Sequence, residues 1–389
     1  MDKYTEAYER EFARLLRVSY AITFGYARHA LTSILIASGL KPQDEIILSP
    51  LTCRVIPLAL LSLNLKPVYV DISADTLNLD PQQVKRAIGK ATRGILFQHT
   101  YGHSVGVEAV AEIASQNQIP LFEDCAQCLP YSTKGQYPGS WGQAAIFSNN
   151  LLKPLPAGSG GVAITRDPEL ARKIRKIQRD LPLPGKWVDL RLCVELWLQE
   201  YALRPAWYWL FFNLYRKISP GYKVQPVRVE IANEITRKAY RASSYQMQEG
   251  KRWLYKINSY AVHRHLCCIE YTQALKGLKH LTLPAAGTSQ PLYYFPVLVQ
   301  NKEALLRRAC TKRIELIAWP RRTPIYPIEN ERDLLAYGYK SGTCPVAEEV
   351  AAKLIGLPTH SRITAKDRNR IIALLWDEKP SCQTTSTGI

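Results

Sequence analysis

The chain has no apolar run of the roughly 20 residues that a membrane-crossing helix needs; its hydrophobic stretches are short and interrupted. No internal repeat with a period of about 20–50 residues is visible, which argues against solenoids and propellers. No Gly-Lys-Ser/Thr follows its glycine-rich segments, which rules out a Walker-type phosphate loop. Cys125 and Cys128 have CxxC spacing, but no second Cys or His pair lies at ligand distance in sequence, so no metal site is expected. Acidic residues are the scarcest relative to need: 33 stand against 51 Lys and Arg, a formal charge of +18. Such an excess favours anionic partners without choosing among phosphates, nucleic acid and acidic membranes. No zinc finger, helix-turn-helix or RNA-binding signature accompanies it, so nucleic acid is not an expected partner.

The N-terminal MDKYTEAYEREF is charged and lacks the apolar core of a signal peptide. The nine cysteines are scattered and odd in number. A reduced, cytoplasmic setting is therefore expected. A hydrophobic share of 47% over 389 residues suits one large domain and a smaller one.

Between about residues 27 and 165 short β-type runs alternate with helical ones. Helices are predicted over 30–39, 55–63, 80–88 and 107–116, and strands over 45–48, 68–71, 95–98, 121–124, 144–148 and 162–165. This alternation predicts an α/β fold with a mainly parallel central sheet, whose ligands sit at the carboxyl ends of strands. A charged helix follows over 167–180 and helical sequence over 230–276. A strand over 293–299 and helices over 304–312, 346–355 and 364–375 predict a smaller C-terminal α/β domain. The expected organisation is a large domain over 1–186, an aromatic and basic helical insertion over 187–225, a linking helix and small domain over 226–380, and a flexible tail over 381–389. The insertion carries Trp207, Trp209, Phe212 and Tyr215 beside Arg204, Arg216 and Lys217. That composition fits a packed hairpin or dimer contact, and also a membrane-surface segment over 187–222.

Four features fall at predicted strand ends. Asp124 ends the strand PLFED, where a carboxylate can hold a pyridine nitrogen protonated or merely cap a helix. Lys153 follows Phe147-Ser148 by a short loop; a lysine can form an imine with pyridoxal 5'-phosphate (PLP) or lie on the surface. Gly158-Ser159-Gly160-Gly161 lets backbone approach closely. The segment GYARHAL over 25–31 opens a helix, and a helix N-terminus accepts phosphate.

Together these stretches resemble the sugar-nucleotide aminotransferases of the DegT–StrS type, within the fold-type I PLP-dependent enzymes. The matching segments are AR-x-AL at 27–31, DEIILSPLTC at 44–53, KPVYVDI at 66–72, LNLDP at 77–81, H-x-YG at 99–102, EDCAQ at 123–127, GSWG-x-AAIFS at 139–148, Lys153, G-x-GG at 158–161, and PVAEEVAAKLIGLPTHSRIT at 345–364. The resemblance implies PLP as cofactor, with Lys153 as its Schiff-base lysine and proton carrier. Asp124 would meet the pyridinium nitrogen and Gln127 the ring or its 3-oxygen. Ser148 and the amides of Ala27 and Arg28 would hold the phosphate, and Thr52 and Cys53 would lie near the cofactor. It implies a homodimer that moves an amino group, from glutamate, to an oxo-sugar on a nucleotide, for surface glycan or secondary metabolite synthesis. A dehydratase of this family would carry histidine in place of Lys153. A regulatory scaffold keeping the fold without the chemistry is the other reading. Departures cluster on the substrate side. Cys53 stands where an aromatic often stacks, Ser159 where Glu is usual, and Pro154 where Asn is common. The asparagine a neighbouring subunit donates has no clear match near Arg241, and Pro324-Ile325-Tyr326 replaces a Pro-Leu-His segment.

Overall fold

The computed structural model describes residues 2–132, 135–150, 153–156, 159–202, 239–284 and 290–377. Continuous apolar runs build the central sheet from β1 (Tyr20–Phe24), β2 (Glu45–Leu48), β4 (Lys66–Tyr69), β5 (Thr92–Gln98), β6 (Leu121–Asp124), β7 (Ala144–Ser148) and β8 (Gly161–Thr165), with β3 (Thr52–Cys53) lying outside it. The spatial order is β1-β8-β7-β6-β5-β2-β4. The strands from β4 to β7 run parallel, and β8 runs antiparallel to both β7 and β1.

Such runs form strands buried on both faces because each face has its own helices. Successive residues point to opposite sides. Ile46, Leu48, Leu96, Phe122 and Ile146 pack with α2 (Ala27–Ala37), α3 (Val55–Leu61) and α6 (Pro168–Asp180). Ile47, Ile95, Phe97 and Leu121 pack with α4 (Pro81–Ala87) and α5 (Val107–Gln116). The first helix, α1 (Lys3–Leu16), lays Tyr8 and Phe12 against Phe147 and the helix Ser244–Leu254. Sequence reading began the α/β series at residue 27 and missed β1, although YAITF is four-fifths apolar and buried from its second residue.

The C-terminal part is built on an antiparallel sheet, β12-β10-β9, formed by β9 (Leu281–Thr282), β10 (Tyr294–Val299) and β12 (Leu354–Pro358). Helices Ile257–Leu275, Lys302–Thr311 and Ala365–Trp376 cover its core. The helix expected over 346–355 spans Pro345–Lys353, and Leu354–Pro358 is a strand instead. Its Gly356 and Pro358 are poor helix formers, and all five residues are buried. The helical region expected over 230–276 is two helices that break at Tyr255-Lys256, with residues 230–238 outside those described. Of the insertion, α7 (Lys186–Ala202) is helical, whereas its aromatic core from Trp207 to Tyr215 and the tail after 377 also lie outside the described residues. No helix among the described residues is long and apolar enough to cross a membrane.

Two devices bring the C-terminal part to the central sheet. Strand β3 pairs in parallel with β11 (Ile325–Tyr326), Thr52 facing Ile325 and Cys53 facing Tyr326. Asp71, just past β4, accepts the N–H groups of Val346 and Ala347 at 2.9 Å, capping a helix far away in sequence. Asp71→Ala leaves those donors unpaired and should cost about 1 kcal/mol, read as a lower midpoint in urea unfolding. An unchanged midpoint would show that this cap is not a fastener.

Candidate active site

The parallel strands end along one crest, and four candidate residues emerge there: Thr52 after β2, Asp124 at the end of β6, Gln127 just beyond it, and Ser148 at the end of β7. Alternation puts Asp124 on the side of Phe122, and its neighbour Glu123 on the side of Leu121. Glu123 is fully buried and accepts N–H groups from Gly139 (2.9 Å), Trp141 (2.8 Å) and Gly142 (2.6 Å), with the Nε2 of His99 at 2.9 Å. Burial disfavours charge on His99, but Cys128, Glu123 and Asp124 outweigh it and its pKa is raised. His99, Glu123 and Cys125 could geometrically share an ion. The carboxylate is already spent on four donors, and burial keeps the Cys125 thiol protonated, so the cluster reads as a hydrogen-bond node.

Asp124 is 4% exposed. Burial raises its pKa; the Ala126 N–H at 2.9 Å and the charges of Lys153 and His99 offset this only in part. It is thus a buried carboxylate short of counter-charge, within electrostatic reach of Lys153. The Nζ of Lys153 lies 5.8 Å from the centre of the Tyr293 ring. The Oε1 of Gln127 accepts the Tyr101 N–H at 2.7 Å. A backbone N–H can only donate, so the Gln127 amide NH2 is the end left for a ligand. The Thr52 hydroxyl donates to Gln98 Oε1 at 2.6 Å, and Gln98 in turn donates to the Leu51 carbonyl.

The N-terminus of α2 comes to the same crest. Unlike α1, α4 and α6, which Asp2, Asp80 and Asp167 cap, α2 starts at Tyr26 with no side-chain cap and no acid in its first turn. Its leading N–H groups, on Ala27 and Arg28, are open to an anion. The Arg28 guanidinium stacks on the Tyr26 ring at 4.7 Å. Gly161 pairs with Ser148 across β7–β8 and lies so close to Ala27 that a Cβ would meet its Cα at 2.3 Å. Only glycine permits that approach. Gly158, the first glycine of the expected run, lies outside the described residues.

In front of the crest lies a cavity of about 740 Å³. Cys53, Gln127, Asn150 and Lys153 line one wall, and Trp253, Arg264, Tyr293, Tyr294, Trp319, Tyr326 and His360 line the other. The Tyr101 hydroxyl donates to the Trp319 carbonyl, joining the H-x-YG motif to the far wall. His360 Nε2 sits 3.2 Å from Glu315, also on the cavity. Arg264, Tyr293 and Glu315 were not singled out in the sequence; nothing local marks them, since a fold contact alone brings them here. His99 and Glu123 lay inside recognised motifs, and adjacent carboxylates at a strand end were their signal.

A PLP-type group fits these residues. The charge-deficient Asp124 suits a protonated ring nitrogen, the uncapped α2 start suits a phosphate, and among the described residues the cavity wall carries one lysine, Lys153, within electrostatic reach of Asp124. Residues 1–180 match the model of the DegT/DnrJ/EryC1/StrS aminotransferase family. This chain is 35% identical over 179 residues to the L-glutamine:2-deoxy-scyllo-inosose aminotransferase of Streptomyces kanamyceticus, covering 45% of this chain and 42% of that one. It is 24% identical over 375 residues to the dTDP-3-amino-3,4,6-trideoxy-alpha-D-glucose transaminase of Micromonospora megalomicea subsp. nigra, covering 94% and 87%. The structure of S. venezuelae DesV shares the fold, with a TM-score of 0.76 at 23% identity over 98% of this chain and 91% of that one. The alignments with the first curated relatives span about half of their length.

Gly161→Ala should push β8 off the start of α2, costing about 1–3 kcal/mol and weakening PLP retention in dialysis. Gly89→Ala, where the added Cβ has open space and the backbone is not left-handed, serves as the control. Equal melting temperature and equal PLP content in Gly161→Ala and wild type would refute the close-approach argument.

Proposed function

We propose that the protein is a PLP-dependent aminotransferase that moves an amino group from glutamate to an oxo-sugar carried on a nucleotide, for surface glycan or secondary metabolite synthesis. The observation that carries this reading is the buried, charge-deficient Asp124 within reach of the cavity lysine, Lys153. When bound, PLP supplies an aldehyde that condenses with amines and a ring that draws electrons from the attached carbon. Asp124 would hold the proton on the ring nitrogen. The Gln127 NH2 would donate to the 3-oxygen, and Cys53 would lie near the cofactor. Ser148 and the Ala27 and Arg28 N–H groups would receive the phosphate. Lys153 Nζ would take the proton from the donor's α-carbon and deliver it to the former aldehyde carbon. Thr52, tied to Gln98, fixes its strand at the crest. The sugar substrate is supported by the names of the Streptomyces and Micromonospora relatives. The exposed Arg313, Arg362 and Arg370 along the cavity suit an anionic carrier. A scaffold without chemistry would have no need of a lysine beside an unneutralised buried carboxylate.

Borohydride reduction of PLP-loaded protein should fix a phosphopyridoxyl group on Lys153, read by peptide mass spectrometry. Asp124→Asn should still bind PLP but aminate it from glutamate orders of magnitude more slowly. Labelling elsewhere, or near-wild-type turnover in the asparagine variant, would sink the assignment.

The working form we infer is a cytoplasmic homodimer. Helix α7 exposes Trp187, Leu190, Val194 and Trp197, a stripe at helical spacing that a second copy can cover. The alternative occupant, the inner membrane face, gains little from charge, because α7 carries two basic and three acidic residues. Light scattering should give twice the 44.1 kDa chain mass, and Trp187→Ser with Trp197→Ser should shift it toward monomer. Flotation with anionic vesicles, abolished by those same changes, would instead favour the membrane.

A further inference from the structure

Lys302 is the one buried lysine among the described residues, at 6% exposure. It opens the helix Lys302–Thr311, a position where the helix dipole disfavours a cation. Among the described residues no carboxylate forms an ion pair with it; the neighbouring Glu303 pairs with Arg322 at 2.8 Å and Arg307 at 3.7 Å. The ammonium instead gives one proton to each of three backbone carbonyls: Pro320 (2.6 Å), Arg321 (2.7 Å) and Ala351 (2.8 Å). Ala351 lies in the last turn of the helix Pro345–Lys353, where carbonyls lack intrahelical donors and the dipole is negative.

What this cation holds is a wall of the cavity. Ile317, Ala318 and Trp319 line it. Ile317 exchanges both backbone hydrogen bonds with Gly356 of β12, at 2.9 and 2.8 Å. From there to β11 no residue is in a helix or strand. Trp319, Pro320 and Arg321 offer three consecutive carbonyls across that gap, and a side chain takes each one. The Tyr101 hydroxyl takes the first, from the crest, and Lys302 takes the other two, from the C-terminal part. The Trp319 ring is thereby set 5.6 Å from the Tyr101 ring and 6.4 Å from the Tyr326 ring. A neutral amine has two protons, so the clamp is complete only when Lys302 is charged.

We infer that Lys302 is a positioning residue for the acceptor, its ammonium fixing the 319–321 backbone so that Trp319 forms the wall that the oxo-sugar substrate meets. This rests on the aminotransferase reading above. Lys153 and Asp124 stand at the crest, and the amino donor reacts there. A cavity of about 740 Å³ is of the size that encloses a whole drug-sized ligand, more than an amino acid fills. The wall opposite the crest therefore bears on the larger substrate.

The clamp is also sensitive to pH. Burial, and then the charge of Arg321, push the Lys302 pKa down to about 7, with Glu303 opposing. Arg321 faces it from the clamped segment and is itself paired with Glu329 at 2.5 Å. The helix Pro345–Lys353 directs its charges elsewhere, Glu349 to Lys353 and Glu348 to the Tyr339 hydroxyl and the Gly342 N–H. The strand packed on that helix, β10, carries none. The clamp is thus complete below about pH 7 and loses a bond as pH rises through that value.

The test uses the full-length, PLP-loaded protein as wild type, Lys302→Met, which keeps an apolar stem without donors, and Lys302→Arg, which stays charged. The two half-reactions are followed separately by absorbance: L-glutamate converting the cofactor to its amino form, and a panel of nucleotide oxo-sugars converting it back. At pH 6.5 the methionine variant should raise the acceptor KM more than tenfold and leave the glutamate half-reaction within twofold. The arginine variant should recover most of that loss. In wild type the acceptor KM should climb as pH passes through about 7, and in the methionine variant that dependence should vanish. A readout without turnover is fluorine NMR of protein labelled with 5-fluorotryptophan, the Trp319 signal being assigned by its loss in Trp319→Phe. That signal should titrate in wild type and hold still in both Lys302 variants. Should the methionine variant fail to melt cooperatively, the fluorine titrations of wild type and the arginine variant still decide. An unchanged acceptor KM in a folded methionine variant, equal loss in both half-reactions, or the same Trp319 titration in wild type and variants would overturn the role of Lys302 and leave the aminotransferase intact. Failure of wild type to aminate any member of the panel would overturn both.

Discussion

The site hangs on one buried carboxylate that is not part of the cavity lining in front of the crest. Glu123 gathers the N–H groups of Gly139, Trp141 and Gly142 and the imidazole of His99. A charge so deep is tolerable only when its oxygens are saturated, and the chain is shaped to saturate them. Gly139 takes a φ of 82°, and a Cβ on Gly142 would meet the Leu121 carbonyl at 2.5 Å. The GSWG segment is therefore a turn wrapped around a carboxylate, and it sets where β7 begins. Since β7 ends in Ser148 and leads to Lys153, the register of both follows from Glu123.

The same node governs Asp124. Adjacent strand residues face opposite ways, so fixing Glu123 on one side of the sheet fixes Asp124 on the other. The Asp124 carbonyl accepts the His99 N–H at 3.1 Å, and the raised pKa of His99 adds positive potential beneath the carboxylate. Asp124 is thus held ionisable but under-compensated, a state that a protonated ring nitrogen completes. That unmatched charge describes what the site accepts better than the overall +18, which bears on approach and not on fit.

What the sequence made legible was local. The strands β2, β5, β6, β7 and β8 stood out because burial on both faces leaves continuous apolar runs. Asp124 and Lys153 stood out because they follow such runs near strand ends, where ligands of open sheets bind, whereas Gln127 and Ser148 were given roles through the family resemblance. The edge strand β1 escaped because it directly precedes α2 and its first residue is exposed. Strand β12 was hidden by its lack of any linker from the helix before it. Arg264 was invisible for another reason. It lies on the helix Ile257–Leu275 in the run HRH, and only the fold brings Leu292, Tyr293 and Thr359 around it. Likewise the bond from Thr52 to Gln98 spans strands, and no spacing rule anticipates it.

This division also accounts for where family likeness is concentrated. The family match covers residues 1–180, and that stretch contributes Ala27, Thr52, Asp124, Gln127, Ser148, Lys153 and Gly161. A ring nitrogen, a phosphate and an aldehyde make the same demands whatever is aminated, so these positions are constrained by one unchanging ligand. The opposite wall, from Trp253 to Ile371, lies beyond the matched stretch. It must suit a particular substrate, and its side chains can change if the wall stays docked to the crest. Docking combines hydrogen bonds with buried packing: β11 pairs with β3, the Tyr101 hydroxyl meets the Trp319 carbonyl, Asp71 takes the Val346 and Ala347 N–H groups, and Ile325, Ile328, Tyr337, Tyr339 and Val350 share one core with Leu51, Ile56 and Tyr69. The hydrogen bonds place few demands on C-terminal side chains, and the buried residues that do pack, Ile325, Ile328, Tyr337, Tyr339 and Val350, are not among those lining the cavity. The substrate wall can therefore diverge in sequence while its position relative to Lys153 is kept, so the chemistry is read from the first half of the chain and specificity is to be sought in the second.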